Sequence, residues 1–138
     1  MGDRAYMEVV CRREHAGRFE DLGFCEQEWR ADLPGRIAFL VDAEANYGHN
    51  SALHELAAEG IVFCARHDEG GDYHAAVIAC DGSRLCQADS PFGDGRPSVA
   101  VLPDGSLDPD GLQAAKEYYA VEIAARRVLG IEATLFSG

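Results

Sequence analysis

The chain has 138 residues, of which 47% are hydrophobic and 26% are charged, a composition typical of folded globular proteins rather than of disordered ones. Twenty-four acidic side chains stand against twelve basic ones, which gives a formal net charge of −12. A surface this acidic repels nucleic acid and anionic lipid, so it argues against direct binding to DNA, RNA or a membrane, and it attracts basic protein surfaces.

The sequence indicates a cytoplasmic protein. It has no apolar run of about 18 residues that would span a membrane, and the opening MGDRAYMEVVCRRE lacks the apolar core of a signal peptide. An odd number of cysteines, spread through predicted strands, favours a reducing compartment and buried free thiols. These cysteines are Cys11, Cys25, Cys64, Cys80 and Cys86.

The first half of the chain predicts four strands and two helices. Alternating and apolar runs place strands at 5–11, 24–31, 36–42 and 61–66, and helices at 14–22 and 51–59. Leu33-Pro34-Gly35 predicts a hairpin turn between the second and third strands. Asn50 or Ser51 is expected to cap the second helix, and Gly60 is expected to end it. The order of these elements matches the split βαβ, or ferredoxin-like, arrangement βαββαβ.

The next segment predicts an extension of that sheet. Strands are expected at 73–80 and 83–87, joined by a two-residue hairpin turn at Asp81-Gly82. This turn would place Cys80 opposite Ser83 and Cys86 opposite Val77, with the two cysteines on opposite faces of the sheet. A further short strand is expected at 98–102, followed by a turn at 103–105.

The last element carries the clearest helix signals. Asp108 is a good N-cap, Pro109 suits the first helical position, and Gly130 stands where a helix-ending glycine belongs. The residues expected to form its buried stripe are Ala114, Tyr118, Val121, Ala125 and Val128. The predicted fold is therefore a single α+β domain over residues 1–138, with a ferredoxin-like core, an added antiparallel hairpin and a long C-terminal helix.

One segment begins like a calcium-binding loop. Asp42-x-Glu44-x-Asn46 places oxygen ligands at alternate positions, as an EF-hand loop does. Tyr47 then stands where the loop requires glycine, and Leu53 stands where the bidentate glutamate belongs. The sequence therefore predicts no calcium site.

A zinc site is incomplete in the same way. Cys64-x-x-His67 offers one closely spaced ligand pair, and His74, Cys80 and Cys86 are available as further ligands. A second closely spaced pair is missing, and strand alternation distributes these side chains over two faces. We therefore expect neither a metal nor a cofactor.

No catalytic motif is present: the sequence contains no nucleophile elbow, P-loop or dinucleotide-binding glycine motif. Cys80 and His74 fall on one face of a predicted strand, but six residues apart they are too distant for contact. A Cys–His pair would need a histidine from elsewhere, such as His49 or His67. The enzyme alternative is a small cysteine- or metal-dependent enzyme that uses Cys64, His67, His74 and Cys80.

The stretch Asp42–His49, which contains the acidic loop AEANYGH, combines acids, an amide, an aromatic ring and a glycine. Loops held by a strand often carry function. Tyr47 can anchor a contact with a partner, and Glu44 can meet an arginine or lysine. The alternative is that Asn46, Gly48 and Asn50 only make turns.

The opening MGDRA and the segment DAEANYGH resemble small proteins carried by phages and other mobile elements. The resemblance covers these two segments. Such proteins include anti-CRISPR inhibitors, several of which are acidic and block nucleic-acid-binding surfaces. The resemblance implies an inhibitor that acts by binding, and it assigns no residue a role because these inhibitors share no common motif.

We therefore expect a non-enzymatic acidic protein that docks on a basic, nucleic-acid-binding protein surface and blocks it, as an anti-CRISPR-type inhibitor does. Strand alternation places two glutamates on one outer face, and the hairpin through Pro34 brings further acids onto the same sheet. The expected partner-binding residues are Glu26, Glu28, Asp42, Glu44 and Tyr47. A third alternative is an accessory or structural protein whose acidity serves only solubility.

Overall fold

The structure, a computed structural model, describes residues 4–28, 33–71 and 73–131, and these form an α+β fold. The strands are β1 (Arg4–Arg12), β2 (Cys25–Gln27), β3 (Ile37–Asn46), β4 (Phe63–His67), β5 (Ala76–Cys80) and β6 (Leu85–Asp89). The helices are α1 (Ala16–Glu20), α2 (Asn50–Ala58) and α3 (Pro109–Leu129). Short 3-10 turns, Arg13–His15 and Tyr47–His49, lead into α1 and α2.

The strands form one six-stranded sheet in the order β2-β3-β1-β4-β5-β6. Every neighbouring pair is antiparallel. β1 lies inside the sheet, between β3 and β4, and carries buried apolar side chains on both faces. Met7, Val9 and Cys11 belong to one core and Val10 belongs to the other, because successive side chains of a strand alternate between its faces.

Helices cover both faces of the sheet and create two hydrophobic cores. On the first side, here called the α1/α2 face, Phe19, Leu53 and Leu56 pack against the sheet. On the second side, the α3 face, Tyr118 and Leu129 belong to the α3 stripe that packs against the strands. No helix in the described ranges is long and apolar enough to cross a membrane.

The last helix begins and ends where the sequence predicts, but its buried stripe is displaced. Asp108 is the N-cap of α3, and Gly130 follows its end with a φ of 74°. At the two ends of the stripe the helix buries Ala115 and Leu129, whereas the predicted Ala114 and Val128 are exposed. The helical period explains the correction, because Leu129 follows Tyr118 by about three turns of 3.6 residues and Val128 does not.

The two-residue turn predicted at Asp81-Gly82 is wrong, because residues 81–84 all lie outside the strands. The carboxylate of Asp81 accepts hydrogen bonds from the backbone N–H groups of Ser83 (2.9 Å) and Arg84 (2.7 Å), which holds the longer turn. The observed pairs are Cys80 with Leu85 and Cys86 with Ala79, rather than Cys80 with Ser83 and Cys86 with Val77. A shift of two residues preserves the faces, so Cys80 and Cys86 still belong to opposite cores.

The strand boundaries also differ from the prediction by one to several residues, and three segments differ most. β2 is short, and positions 29–31 of its predicted span lie outside the described residues. β3 continues to Asn46, so much of the predicted acidic loop is strand. In place of a strand at 98–102 the described chain has an isolated bridge between Val101 and Leu107, because this segment is exposed and has few neighbours to pair with.

Candidate functional site

The two glutamates predicted for partner binding on β2 have different environments. Glu26 pairs with Leu40 across the strands and forms an ion pair with Arg13, which precedes α1. Glu28 follows the end of β2 and is exposed. Of these two carboxylates, Glu28 is therefore the more available to a partner.

Asp42 and Glu44 on β3 also differ. The Asp42 side chain is only 14% exposed, and its carboxylate accepts a hydrogen bond from Nε2 of His49 at 2.7 Å. The same carboxylate accepts a second bond from the backbone N–H of Glu44 at 3.0 Å. Asp42 therefore holds the chain that follows it, while the Glu44 side chain remains exposed.

The chain after β3 makes a left-handed turn. Tyr47, Gly48 and His49 have φ values of 51°, 60° and 53° in succession. Glycine adopts this conformation at no steric cost, but for Tyr47 and His49 it costs about 1–3 kcal/mol each. Such strain persists only where surrounding contacts impose it, and it is concentrated in proteins at ligand sites and switch regions.

Contacts with three other elements hold this left-handed turn. The His67 ring on β4 lies so close to Gly48 that a Cβ built there would sit 2.7 Å from its Cδ2 atom. The His49 ring lies 5.2 Å from that of Phe24, in addition to its bond to Asp42. Tyr47 lies 5.9 Å from the ring of Tyr73, in the connection between β4 and β5.

A cavity of about 730 Å³ lies beside the left-handed turn, on the α1/α2 face. Its size falls within the usual range of small-ligand sites. Gln87 and Asp89 of β6 lie opposite Ile78 and Ala76, so they share a sheet face with the core residue Ile78. The lining residues are Asn46, Tyr47, His49, Asn50, Ser51, Ala52, His67, Tyr73, His74, Gln87 and Asp89.

The described lining of the cavity carries no lysine or arginine, and its carboxylate is that of Asp89. His67 is buried, and burial lowers its pKa below the usual value. Its Nδ1 atom lies 2.8 Å from the carbonyl oxygen of Asp68 and therefore carries the hydrogen. Nε2 of the neutral ring is then a hydrogen-bond acceptor.

The first turn of α2 forms one wall of the cavity. Asn50, Ser51 and Ala52 line it, and no side chain caps the helix, whose N-cap residue is His49. The first N–H groups of a helix have no partner within the helix. The N–H of Asn50 donates to the carbonyl oxygen of Tyr47, so the N–H groups that this wall could offer to a ligand are those of the residues after Asn50.

The structure separates the residues of the enzyme alternative. His67 and His74 line the cavity, but Cys64 and Cys80 are buried in the two different cores. Burial raises the pKa of both thiols, which disfavours the reactive thiolate. The described residues contain no group of three or more His, Cys, Asp or Glu side chains placed to hold a metal ion.

The basic side chains are largely engaged within the protein. Most described arginines bond to the chain's own carboxylates or to carbonyl oxygens at the end of α3, and the excess acids are left on the surface. Those bonded to carboxylates are Arg13, Arg18, Arg66, Arg84 and Arg126. Those bonded to α3 carbonyls are Arg12 and Arg36.

The sequence interpretation named most of the left-handed turn but missed the cavity. β3 and β4 are both antiparallel to β1, so they run in the same direction and end at the same edge of the sheet. The polar segments that follow them, NYGHN and HDEGG, therefore meet there. The sequence could have indicated this meeting, because both segments follow strands that run in the same direction in the predicted βαββαβ order. No feature of the sequence indicated that Asp89 on β6 would join them.

No protein-family model, no curated protein and no solved structure matches the chain.

Proposed function

We propose that this is a non-enzymatic binding protein that docks its α1/α2 face on a basic, nucleic-acid-binding protein and blocks that surface. The observation that carries the proposal is the engagement of the chain's arginines by its own carboxylates and helix end. Because the bases are engaged internally, the surplus negative charge faces solvent, where it attracts a basic partner.

The α1/α2 face carries part of that surplus. Glu20, Asp21 and Glu55 are exposed on the two helices or next to them. Of the described arginines on this face, Arg18 is paired with Glu59, and Arg13 is paired with Glu26. The bond to Glu59 and the neighbouring Asp21 and Glu55 raise the pKa of Arg18. Each of these two guanidinium groups is paired with a carboxylate, and the further carboxylates leave this surface negative.

The order of the strands in the sheet supports a more specific proposal about the fold. We propose that β1 to β4 with α1 and α2 form a ferredoxin-like core, to which the β5–β6 hairpin and α3 are additions. The order β2-β3-β1-β4, antiparallel throughout and with a helix after β1 and after β3, supports this assignment. The fold by itself selects no function.

The test measures binding to purified basic nucleic-acid-binding proteins, with CRISPR effector complexes among them, by fluorescence anisotropy at increasing salt. We expect affinity to fall steeply with ionic strength, because salt screens the charges that attract the partner. Glu20→Lys with Glu55→Lys should weaken binding about tenfold, equivalent to about 1.4 kcal/mol. Bound protein should also exclude DNA or RNA from the partner.

Two further variants refine this test. Asp110→Lys with Glu117→Lys makes the same change in charge on α3, across the sheet, and should affect binding less. Glu28→Lys with Glu44→Lys reverses the predicted partner-binding glutamates that are exposed. If all folded variants bind every partner as the parent does at low salt, or if affinity is independent of salt, the proposal is wrong.

A further inference from the structure

We propose that the cavity beside the left-handed turn binds one arginine residue of the basic partner. This inference rests on the proposed function and deepens it, since it names the side chain that the cavity recognises. It also offers an explanation for the strained backbone of the left-handed turn, because Tyr47 and His49 form one side of the cavity.

The floor of the cavity presents hydrogen-bond acceptors on a single sheet face. Asp89 and Gln87 line it from β6, and the buried ring of His67 lines it from β4. The Asp89 carboxylate is an acceptor, and the Gln87 amide can turn its oxygen toward a donor. A guanidinium group has five N–H donors in one plane and no acceptor. It therefore complements a floor of acceptors better than a ligand rich in acceptors does.

The aromatic side of the cavity suits a flat cation. Tyr47 lines the cavity with a side chain that is 52% exposed. Tyr73 continues this side at 5.9 Å from Tyr47, and the His67 ring meets Tyr73 edge to face at 5.1 Å. A guanidinium group is planar, so it can stack on an aromatic face while its edge donates hydrogen bonds. A lysine ammonium group also donates hydrogen bonds, but it is not planar and cannot stack in this way.

The start of α2 can contact the main chain of the peptide that carries the arginine. Ser51 and Ala52 in its first turn line the cavity, and the main-chain carbonyl groups that flank an arginine in a peptide can accept hydrogen bonds from N–H groups of a first helical turn. A free anion is a weaker alternative, because it would meet the Asp89 carboxylate and a protein of net charge −12. An arginine within a peptide chain can thus accept hydrogen bonds from the first turn of α2 with its main chain and donate hydrogen bonds to the floor with its side chain.

The experiment uses three blocked pentapeptides, Gly-Gly-Xaa-Gly-Gly with Xaa arginine, lysine or citrulline, titrated into the full chain by calorimetry and NMR. Citrulline keeps the shape of arginine and removes its charge. We expect the arginine peptide to bind with shifts at the resonances of the cavity residues, and the other two to bind at least about tenfold more weakly. Equal binding of arginine and citrulline, or no binding of the arginine peptide, overturns the inference.

Two variants localise the effect. Asp89→Asn removes the charge of an exposed side chain and should weaken binding of the arginine peptide about tenfold, while Asp110→Asn, the same change across the sheet, should leave it unchanged. Tyr47→Phe should retain binding, and Tyr47→Ala should reduce it. If Asp89→Asn and Tyr47→Ala both bind like the parent, the cavity is not the arginine site.

The outcomes separate this inference from the proposed function. If a basic protein binds in a salt-dependent manner and Asp89→Asn does not weaken that binding, the docking function is supported and the arginine site is wrong. Binding of the arginine peptide at the cavity, without binding of any basic protein, retains the site and rejects the docking function.

Discussion

Gly48 is the position at which backbone conformation and side-chain packing both require glycine. Its φ is 60°, and the His67 ring occupies the space that a Cβ would take. Replacing it adds a steric clash to a backbone conformation that L-residues disfavour. The residue therefore couples the left-handed turn to the floor of the cavity.

Gly48→Ala should lower the free energy of unfolding by about 2–4 kcal/mol, from the left-handed conformation and the contact with His67 together. Urea denaturation followed by circular dichroism measures it. Gly17→Ala is the matched control, because Gly17 lies in α1 with no atom within 4 Å of a Cβ. That change should stabilise the protein by about 0.5–1 kcal/mol, and equal effects at the two positions would contradict the role given to Gly48.

His67 should make stability depend on pH. Burial lowers its pKa in the folded protein, whereas in the unfolded chain the pKa is about 6.5. As pH falls below about 6.5, the unfolded chain gains a proton that the folded protein does not bind until its lower pKa is reached. The free energy of unfolding should therefore decrease with falling pH in this interval.

The measurement compares urea denaturation from pH 8 to pH 5 for the parent, His67→Gln and His54→Gln. The His67→Gln variant should show a shallower dependence on pH over that interval than the parent, and the same substitution at the exposed His54 serves as the control. Parallel curves for the parent and His67→Gln would show that His67 is not the group responsible.

Among the elements, the turn between β5 and β6 depends most on one side chain. The carboxylate of Asp81 accepts bonds from two backbone N–H groups and from the side chains of Ser83 and Arg84. Despite the opposing effect of burial, these bonds lower the pKa of Asp81 to about 2. The stability they provide is present above the usual aspartate pKa and is lost as pH falls through about 2.

Asp81→Ala should reduce stability by about 1–2 kcal/mol at pH 7, since it leaves turn N–H groups without their acceptor. Asp81→Asn keeps an acceptor oxygen and removes the charge, so its loss should be smaller. Thermal unfolding at pH 7 and pH 3 distinguishes the two. An asparagine variant less stable than the alanine variant would show that the side chain does not act as a hydrogen-bond acceptor.

Local signals were sufficient for some elements and insufficient for others. The ends of α3 followed from Asp108, Pro109 and Gly130, because Pro109 suits the first helical position and Gly130 adopts the left-handed conformation that ends a helix; Asp108 occupies the N-cap position without a side-chain capping bond. Its buried stripe was misplaced at both ends, since which side of a helix faces a sheet depends on the sheet itself. In the β5–β6 turn, the wider conformation is held by the side-chain bonds of Asp81, which the Asp-Gly pair does not reveal.

The candidate site was harder to predict because its parts meet only in the folded chain. The polar residues around Tyr47 indicated a turn, but two non-glycine residues in the left-handed conformation contradict local preference. That conformation depends on distant partners, His67 on β4 and Phe24 before β2. His49 engages Asp42 only because the left-handed turn brings the chain back on itself.

At the scale of the whole molecule, the two-sided sheet determines thiol reactivity. Cys11, Cys64 and Cys80 are buried, Cys86 is partly buried, and Cys25 on β2 is exposed, which corrects the expectation that all five are buried. A thiol reagent should therefore label Cys25 rapidly, Cys86 slowly and the others only after denaturation. Cys25→Ser should abolish the rapid phase, and rapid native labelling of Cys64 would contradict this arrangement.

The order of the elements along the chain also has a consequence during protein synthesis. The last strand, β6, ends at Asp89, but α3 is complete only at Leu129. At about 5–20 residues per second, a ribosome needs on the order of 2–8 seconds to add residues 90–129. Until then the α3 face, with Val10, Phe39 and Val77, has no helix to cover it. A nascent chain that stalls between β6 and α3 thus carries an exposed apolar sheet, the kind of surface that chaperones bind and that aggregates when they do not.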